Sequence, residues 1–299
     1  PTHTRRSETS QTLQQYSTPP GLSYVASFAA ALVPGDHVLE PSAGTGMLAV
    51  HAALARAGLT LNELAETRAE LLGHLFGITV SRHDAASIED RLPPGARPTV
   101  VLMNPPFSAV AHVDRTMKDA VLRHVASALA RLAPGGRLIA ITAASCSPDA
   151  PAWRDTFVRL QEQARVVFTA AIDGKVYAKH GTTIDTRLTV IDKLPAEEQP
   201  RFVESAGNAP DTAPLLQWVL DQVPPRPPVT SSPVSALPVN ASGSPGRAKT
   251  RAIAAPAAPP APDVAAIELA YETIDWTPPA ERLSEGIYEP YVLQSLRIE

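Results

Sequence analysis

A single cysteine, Cys146, stands in 299 residues. No internal disulfide can form, and this usage fits a reducing, cytoplasmic setting. Long apolar runs are missing too: nothing approaches the ~20 residues of a membrane-spanning helix. The stretch from Pro1 to Ser10 is polar, without the apolar core of a signal peptide, so no membrane partner is expected. Positive charge is not in excess. The net charge is −4 at pH 7, whereas a lone duplex-binding module is normally basic. Any grip on nucleic acid must therefore come from a local patch or a partner domain. No Cys/His spacing suits a metal ion, and neither a phosphate-binding P-loop nor a nucleophile elbow is found.

Proline, by contrast, is abundant, with 31 residues, about twice the usual share. Many of them fall between Leu194 and Pro262, where Pro224-Pro225-Arg226-Pro227-Pro228 and the run from Ala252 to Pro262 read as extended, low-complexity chain. Three zones follow: 1–194, a catalytic-type α/β domain; 195–262, a Pro-rich linker with one short helix near Ala213 to Gln222; and 263–299, the start of a following domain. The chain begins without Met and ends on the strand-like Leu296-Arg297-Ile298-Glu299, which reads as a piece of something longer.

Within the first zone, short apolar runs alternate with helical stretches. Strands are expected at His37 to Glu40, Leu59 to Asn62, Thr79 to Ser81, Thr99 to Met103, Arg137 to Thr142, Arg165 to Ala171 and Thr186 to Asp192. Helices are expected at Gly21 to Leu32, Met47 to Ala57, Ala65 to Leu75 and Asp114 to Leu132. Strands separated by helices imply βαβ units, hence an α/β, doubly wound, mostly parallel sheet. The last two strands follow each other without a strong helix between them and read as an antiparallel edge hairpin.

The run Val38-Leu39-Glu40-Pro41-Ser42-Ala43-Gly44-Thr45-Gly46 is strand, tight loop and helix start. Glycine lets backbone approach a ligand without a Cβ clash, and the helix that follows offers free amides. Glu63 falls after the second strand, about 20 residues beyond the glycines, where a ribose diol expects a carboxylate. Asp84 follows the third strand and reads equally as a helix N-cap for Ala85 onward.

Val100-Val101-Leu102-Met103 reads as a buried strand, and Asn104-Pro105-Pro106-Phe107 ends it. Two prolines remove two N–H donors and stiffen the backbone. Asn104 adds a side-chain carbonyl. The result is a cradle of acceptors for an NH₂ group, with the Phe107 ring beside it to stack on a flat substrate. An amine conjugated to a base or amide is a poor nucleophile, because its lone pair is delocalised. Acceptors that hold its hydrogens favour a pyramidal nitrogen, so catalysis here would rest on orientation and electrostatics rather than on a strong base. A base within a duplex must be flipped out, or already single-stranded, to reach such a site.

Together these runs resemble the class I amino-methyltransferases, with their Rossmann-like sheet. Glu40 to Gly46 is similar to the first motif of that superfamily and Asn104 to Phe107 to its catalytic motif. Gln15-Tyr16-Ser17-Thr18-Pro19-Pro20 is similar to the element ahead of the first motif in adenine-specific DNA methyltransferases. The resemblance implies S-adenosylmethionine as cofactor, held by Tyr16, Thr18, Pro19, Glu40, Ser42, Gly44, Gly46, Glu63, Asp84 and Asn104. It implies catalysis at Asn104, Pro105, Pro106 and Phe107, with the exocyclic amine of adenine in DNA as acceptor. Lys175, Lys179, His180 and Arg187 surround Tyr177 and form the best local patch for phosphates, or else ordinary solvated hairpin charges.

The assembly also resembles the methyltransferase domain N-terminal to strawberry-notch-like helicases. Lys179-His180-Gly181-Thr182-Thr183, Thr186 to Lys193 and Tyr288-Glu289-Pro290-Tyr291-Val292 carry that likeness, which implies a helicase domain in the same parent chain. The large target-recognition domain of restriction-type enzymes has no counterpart here. Methylation of an RNA guanine amine or a protein glutamine amide, and a low-turnover cofactor-binding scaffold for a helicase, are the competing readings.

Overall fold

The computed structural model describes residues 17–93, 97–106, 117–180, 182–197 and 202–229. Tyr16, Phe107 and the whole of 263–299 lie outside the described residues. Seven strands form one sheet: β1 (His37–Glu40), β2 (Gly58–Leu61), β3 (Val100–Met103), β4 (Arg137–Ala143), β5 (Arg165–Ile172), β6 (Thr186–Asp192) and β7 (Asn208–Ala209). Their order across the sheet is β2-β1-β3-β4-β6-β5-β7. β1 runs parallel to β2 and β3, β3 to β4, and β5 to β7, while β6 is antiparallel to both β4 and β5. This is the mostly parallel, doubly wound sheet expected, with its antiparallel hairpin formed by β5 and β6. The two residues of β7 add one more short strand outside the hairpin.

The central strands are buried on both faces, which is why they read as unbroken apolar runs. Their side chains alternate between two cores. Val38, Val100, Leu102, Ile139, Ile141 and Phe168 pack beneath α1 (Pro20–Ala30), α2 (Met47–Leu54) and α7 (Thr212–Gln222). Leu39, Val101, Met103, Leu138 and Ala140 face α4 (Ile88–Arg91), α5 (Met117–Arg131) and α6 (Arg154–Leu160). The remaining helix, α3 (Glu66–Phe76), covers the β2 edge through Leu72.

Two sequence expectations are corrected. The strand read at Thr79 to Ser81 shrinks to a single parallel bridge between Asn62 and Ser81. Among the described residues its outer side has no neighbour in the sheet, so little holds a longer ladder together. The boundary placed at 194 also moves. The short helix read in the Pro-rich zone does form, as α7, and its Leu215 and Val219 enter the main core. Beyond it, Arg226 grips Asp36 through two hydrogen bonds of 2.8 and 2.9 Å, and the Pro224 carbonyl accepts from Arg137. Residues 202–229 are therefore part of this fold rather than linker. Proline there removes amide donors, yet it does not prevent packing by apolar side chains.

Candidate active site

The chain runs from β1 outward to β2 and returns on the other side of β1 to β3. The direction of winding thus reverses between β1 and β3, and a crevice opens there at the carboxyl ends of the strands. Glu40 ends β1, Asn62 and Glu63 follow β2, and Asn104 follows β3. Parallel register places the three strand ends side by side: Glu40 lies opposite Leu61, and Val38 opposite Val100.

The glycine loop leaves β1 in the way its sequence suggests. Gly44 and Gly46 both take positive φ, 57° and 81°. Gly46 starts α2, and a Cβ there would press on the side chains of Leu72 and Phe76 at 2.8 and 2.9 Å. Asn62, which sequence reasoning passed over, holds the loop from below. Its Nδ2 donates to the carbonyls of Pro41 and His83, and its Oδ1 accepts from the Ser81 hydroxyl and the His83 amide. A polar residue at the end of an apolar strand was the available signal.

Glu63 is placed as expected, but it already serves the protein. Its Oε2 accepts from Gly44 N at 2.8 Å and its Oε1 from Ala65 N at 2.9 Å. Each carboxylate oxygen can accept a second hydrogen, so loop closure and diol binding are compatible. Asp84 is exposed and caps Ala85–Ser87 through Ala86 N, which realises the N-cap reading. Ser42 lies partly exposed on the loop.

Glu40 is 2% exposed, and its Oε2 makes no hydrogen bond among the described residues. Burial pushes its carboxyl well above the usual range. The nearby Glu63 charge adds to this, and an Ala49 backbone N–H partly opposes it. A buried oxygen without a donor is costly. It fits a ligand that brings a donor or positive charge to the glycine loop, as the ammonium of S-adenosylmethionine would.

Asn104 and Pro106 are partly exposed, and Pro105 is buried. Asn104 Nδ2 donates to Thr18 Oγ1 at 3.0 Å and to the Tyr177 hydroxyl at 3.2 Å. Thr18 and Pro19 sit buried just ahead of α1, so the structure joins the upstream element to the Asn-Pro-Pro turn. Tyr177 comes from the 3₁₀ turn Gly174–His180 between β5 and β6 and is wholly buried. In the sequence it stands out only as the centre of a basic patch.

That patch is not assembled as expected. Arg187 is 8% exposed. Its guanidinium is spent inside the fold on the Ala144 carbonyl, Thr169 Oγ1 and Ser205 Oγ. β6 is buried along its whole length, so its arginine lies where phosphates do not reach. Lys175 is exposed and pairs with Asp173 at 3.2 Å, and Lys179 is exposed. His180 is partly exposed on the same turn. Among the described residues no group of three or more His, Cys, Asp or Glu could hold a metal, and no helix is long and apolar enough to cross a membrane.

This architecture is a class I methyltransferase fold. Solved structures with the same fold include a methyltransferase subunit of a type I restriction-modification system from Streptococcus thermophilus, with TM-score 0.54 and 14% identity over 71% of this chain and 53% of that one. A class I S-adenosylmethionine-dependent methyltransferase from Listeria monocytogenes gives TM-score 0.53 and 13% identity, covering 74% of each chain. The M protein of the type I restriction enzyme EcoKI gives TM-score 0.50 and 18% identity over 60% of this chain. The chain spans only 44% of that protein's length. No family model and no curated protein matches the sequence.

Proposed function

We propose that this chain transfers a methyl group from S-adenosylmethionine to the exocyclic amine of adenine in DNA, as the methylase part of a larger, helicase-linked protein. One observation carries the reading: Asn104-Pro105-Pro106 leaves β3 beside the glycine loop of β1, in the crevice where the winding reverses. Gly44 and Gly46, Glu40 and Glu63 would hold the cofactor, with Tyr16, Thr18 and Pro19 closing over its methionine end, Asp84 toward its adenine and Ser42 on the loop. When bound, the cofactor would supply an electrophilic methyl on a sulfonium, whose neutral thioether is a good leaving group.

The chain's own residues do the rest. The Asn104 side-chain carbonyl and the Pro105 carbonyl accept the two amine hydrogens and orient the nitrogen lone pair. Phe107 stacks the base. No side chain need take the proton in advance, because the amine loses it to solvent after alkylation. Lys175, Lys179 and His180 would be the residues that meet phosphates. With Arg187 spent inside the fold, the grip on DNA depends on the downstream part of the parent protein. Residues 263–299 would be the start of a following, helicase-like domain.

Methyl incorporation from labelled cofactor tests this on unmethylated single- and double-stranded DNA and on ribosomal RNA. The expected outcome is labelling of DNA, preferentially single-stranded, with loss of at least 100-fold in Asn104→Ala, about what removal of one oriented polar group costs. Labelling of RNA alone would move the substrate to a guanine amine. Silence on all three, with cofactor bound, would leave the scaffold reading.

A further inference from the structure

We propose that Tyr177, together with Thr18, is a positioning residue that fixes the Asn104 side chain as a hydrogen-bond acceptor toward the substrate nitrogen. The inference rests on the role of Asn104 proposed above. A primary amide has two N–H donors on one side and a carbonyl on the other. Turned through 180° about its last torsion, it presents NH₂ where a carbonyl stood. A turned Asn104 would meet an incoming amine donor to donor. It would favour a ring nitrogen or a carbonyl instead, and nothing in the Asn-Pro-Pro turn prevents the turn by itself.

In the folded chain two hydroxyls stand on the Nδ2 side of this amide. Asn104 Nδ2 donates to both, at 3.0 Å to Thr18 and 3.2 Å to Tyr177. With both amide hydrogens committed, the group left for the substrate is Oδ1. The hydroxyls arrive from opposite directions in the sequence, 86 residues before Asn104 and 73 after it, so the lock forms only in the folded chain.

Tyr177 is suited to the task. Its ring is wholly buried in the core beneath α1 and α7. The turn that carries it is pinned at its start, where Gly174 N donates to Asp185 Oδ1 at 2.8 Å. A Cβ at Gly174 would collide with the Thr183 carbonyl, so the turn closes tightly. Burial pushes the phenol above its ordinary value, so the hydroxyl stays neutral and its contact with Asn104 does not change with pH. Thr18 adds a second consequence. It belongs to the element proposed to close over the cofactor, so closure and amide orientation share one hydrogen bond.

Tyr177→Phe removes one acceptor and keeps the ring. The expected result is a fall in kcat of about tenfold or more, with KM for S-adenosylmethionine and the melting temperature unchanged. Thr18→Ser should retain most of the rate and Thr18→Val should lose it. An unchanged kcat in Tyr177→Phe, or a loss accompanied by an equal loss of folded protein, would overturn the proposal.

A second readout does not need turnover. The chain has four asparagines, Asn62, Asn104, Asn208 and Asn240, so selective ¹⁵N labelling gives four side-chain amide pairs. Asn104 is assigned by its disappearance in Asn104→Ala. Its amide hydrogens should exchange slowly in the wild type and fast in Tyr177→Phe. If they exchange in the wild type as fast as those of exposed Asn208, the lock does not exist. Should the wild type methylate no nucleic acid, the functional reading fails while the exchange measurement still decides the amide.

Discussion

Glu40 shows how a single side chain can favour ligand over empty site. It sits at the end of β1 with one buried carboxylate oxygen that has no hydrogen-bond partner among the described residues. Its pKa is raised above 4.5 in the folded protein, chiefly by burial. A carboxyl raised on folding gives stability that is fully present below its unfolded value and lost as pH climbs through the folded one. Wild-type protein without ligand should therefore lose stability relative to Glu40→Gln as pH rises from about 4.5, with the two close together below it. Thermal melts at pH 4.5 and pH 8 measure the difference. A gap of constant size would show that Glu40 does not titrate in this window. Since an ammonium is matched by the ionised carboxylate, cofactor affinity should rise with pH in the wild type and stay flat, and weaker, in the Gln variant. Titration calorimetry across the same range checks this.

At the scale of elements, the β5–β6 hairpin carries the polar framework of the sheet. Arg137 on β4 lies directly across from Asp192 on β6. The two meet in a bidentate pair at 2.7 and 3.0 Å with both side chains 1% exposed. Two further guanidinium hydrogens go to the carbonyls of Ala29 on α1 and Pro224 beyond α7. One arginine thus ties two strands, a helix and the chain's last described segment. Burying such a pair brings little net stability, but removing one partner strands the other charge and costs about 3–5 kcal/mol. Asp192→Ala should lower the urea midpoint accordingly, whereas a variant replacing both residues by apolar ones should recover much of the loss. Arg187, on the same strand β6, is likewise consumed by Ala144, Thr169 and Ser205. Read along the sequence, Lys179, His180 and Arg187 look like one basic cluster. The first two lie on the turn ahead of β6 while Arg187 lies on the buried strand itself, and no composition count distinguishes a buried from an exposed arginine.

For the whole molecule, the decisive feature is how far the fold extends. Leu215 and Val219 of α7 are buried against α1 and β5. Each contributes about 2 kcal/mol of apolar burial. Arg226 closes on Asp36, which also accepts from Thr99 Oγ1 and Val33 N. These contacts sit at the start of β1, the opposite end of the strands from Glu40 and Asn104. A chain stopped at residue 194 should be poorly soluble or molten, and one stopped at 229 should fold cooperatively. Arg226→Ala in the longer form should cost about 2 kcal/mol without changing cofactor affinity. Circular dichroism melts of the three proteins decide it. Equal melting of the two truncated forms would mean that α7 is dispensable.

Much was determined by sequence alone. β1 and β6 fall where their apolar runs put them, because a strand buried on both faces has little freedom in composition. The Gly44–Gly46 loop and the Asn-Pro-Pro turn were legible because positive φ and missing N–H donors are properties of the residues themselves. What only the tertiary structure decided is which polar groups meet. Asn104 finds Thr18 and Tyr177, Asn62 staples two loops, and Arg226 finds Asp36 across 190 residues of sequence. A hydrogen bond works over about 3 Å and carries no periodicity, so such pairings leave no pattern along the chain. They exist once the hydrophobic cores have fixed the strand ends in space.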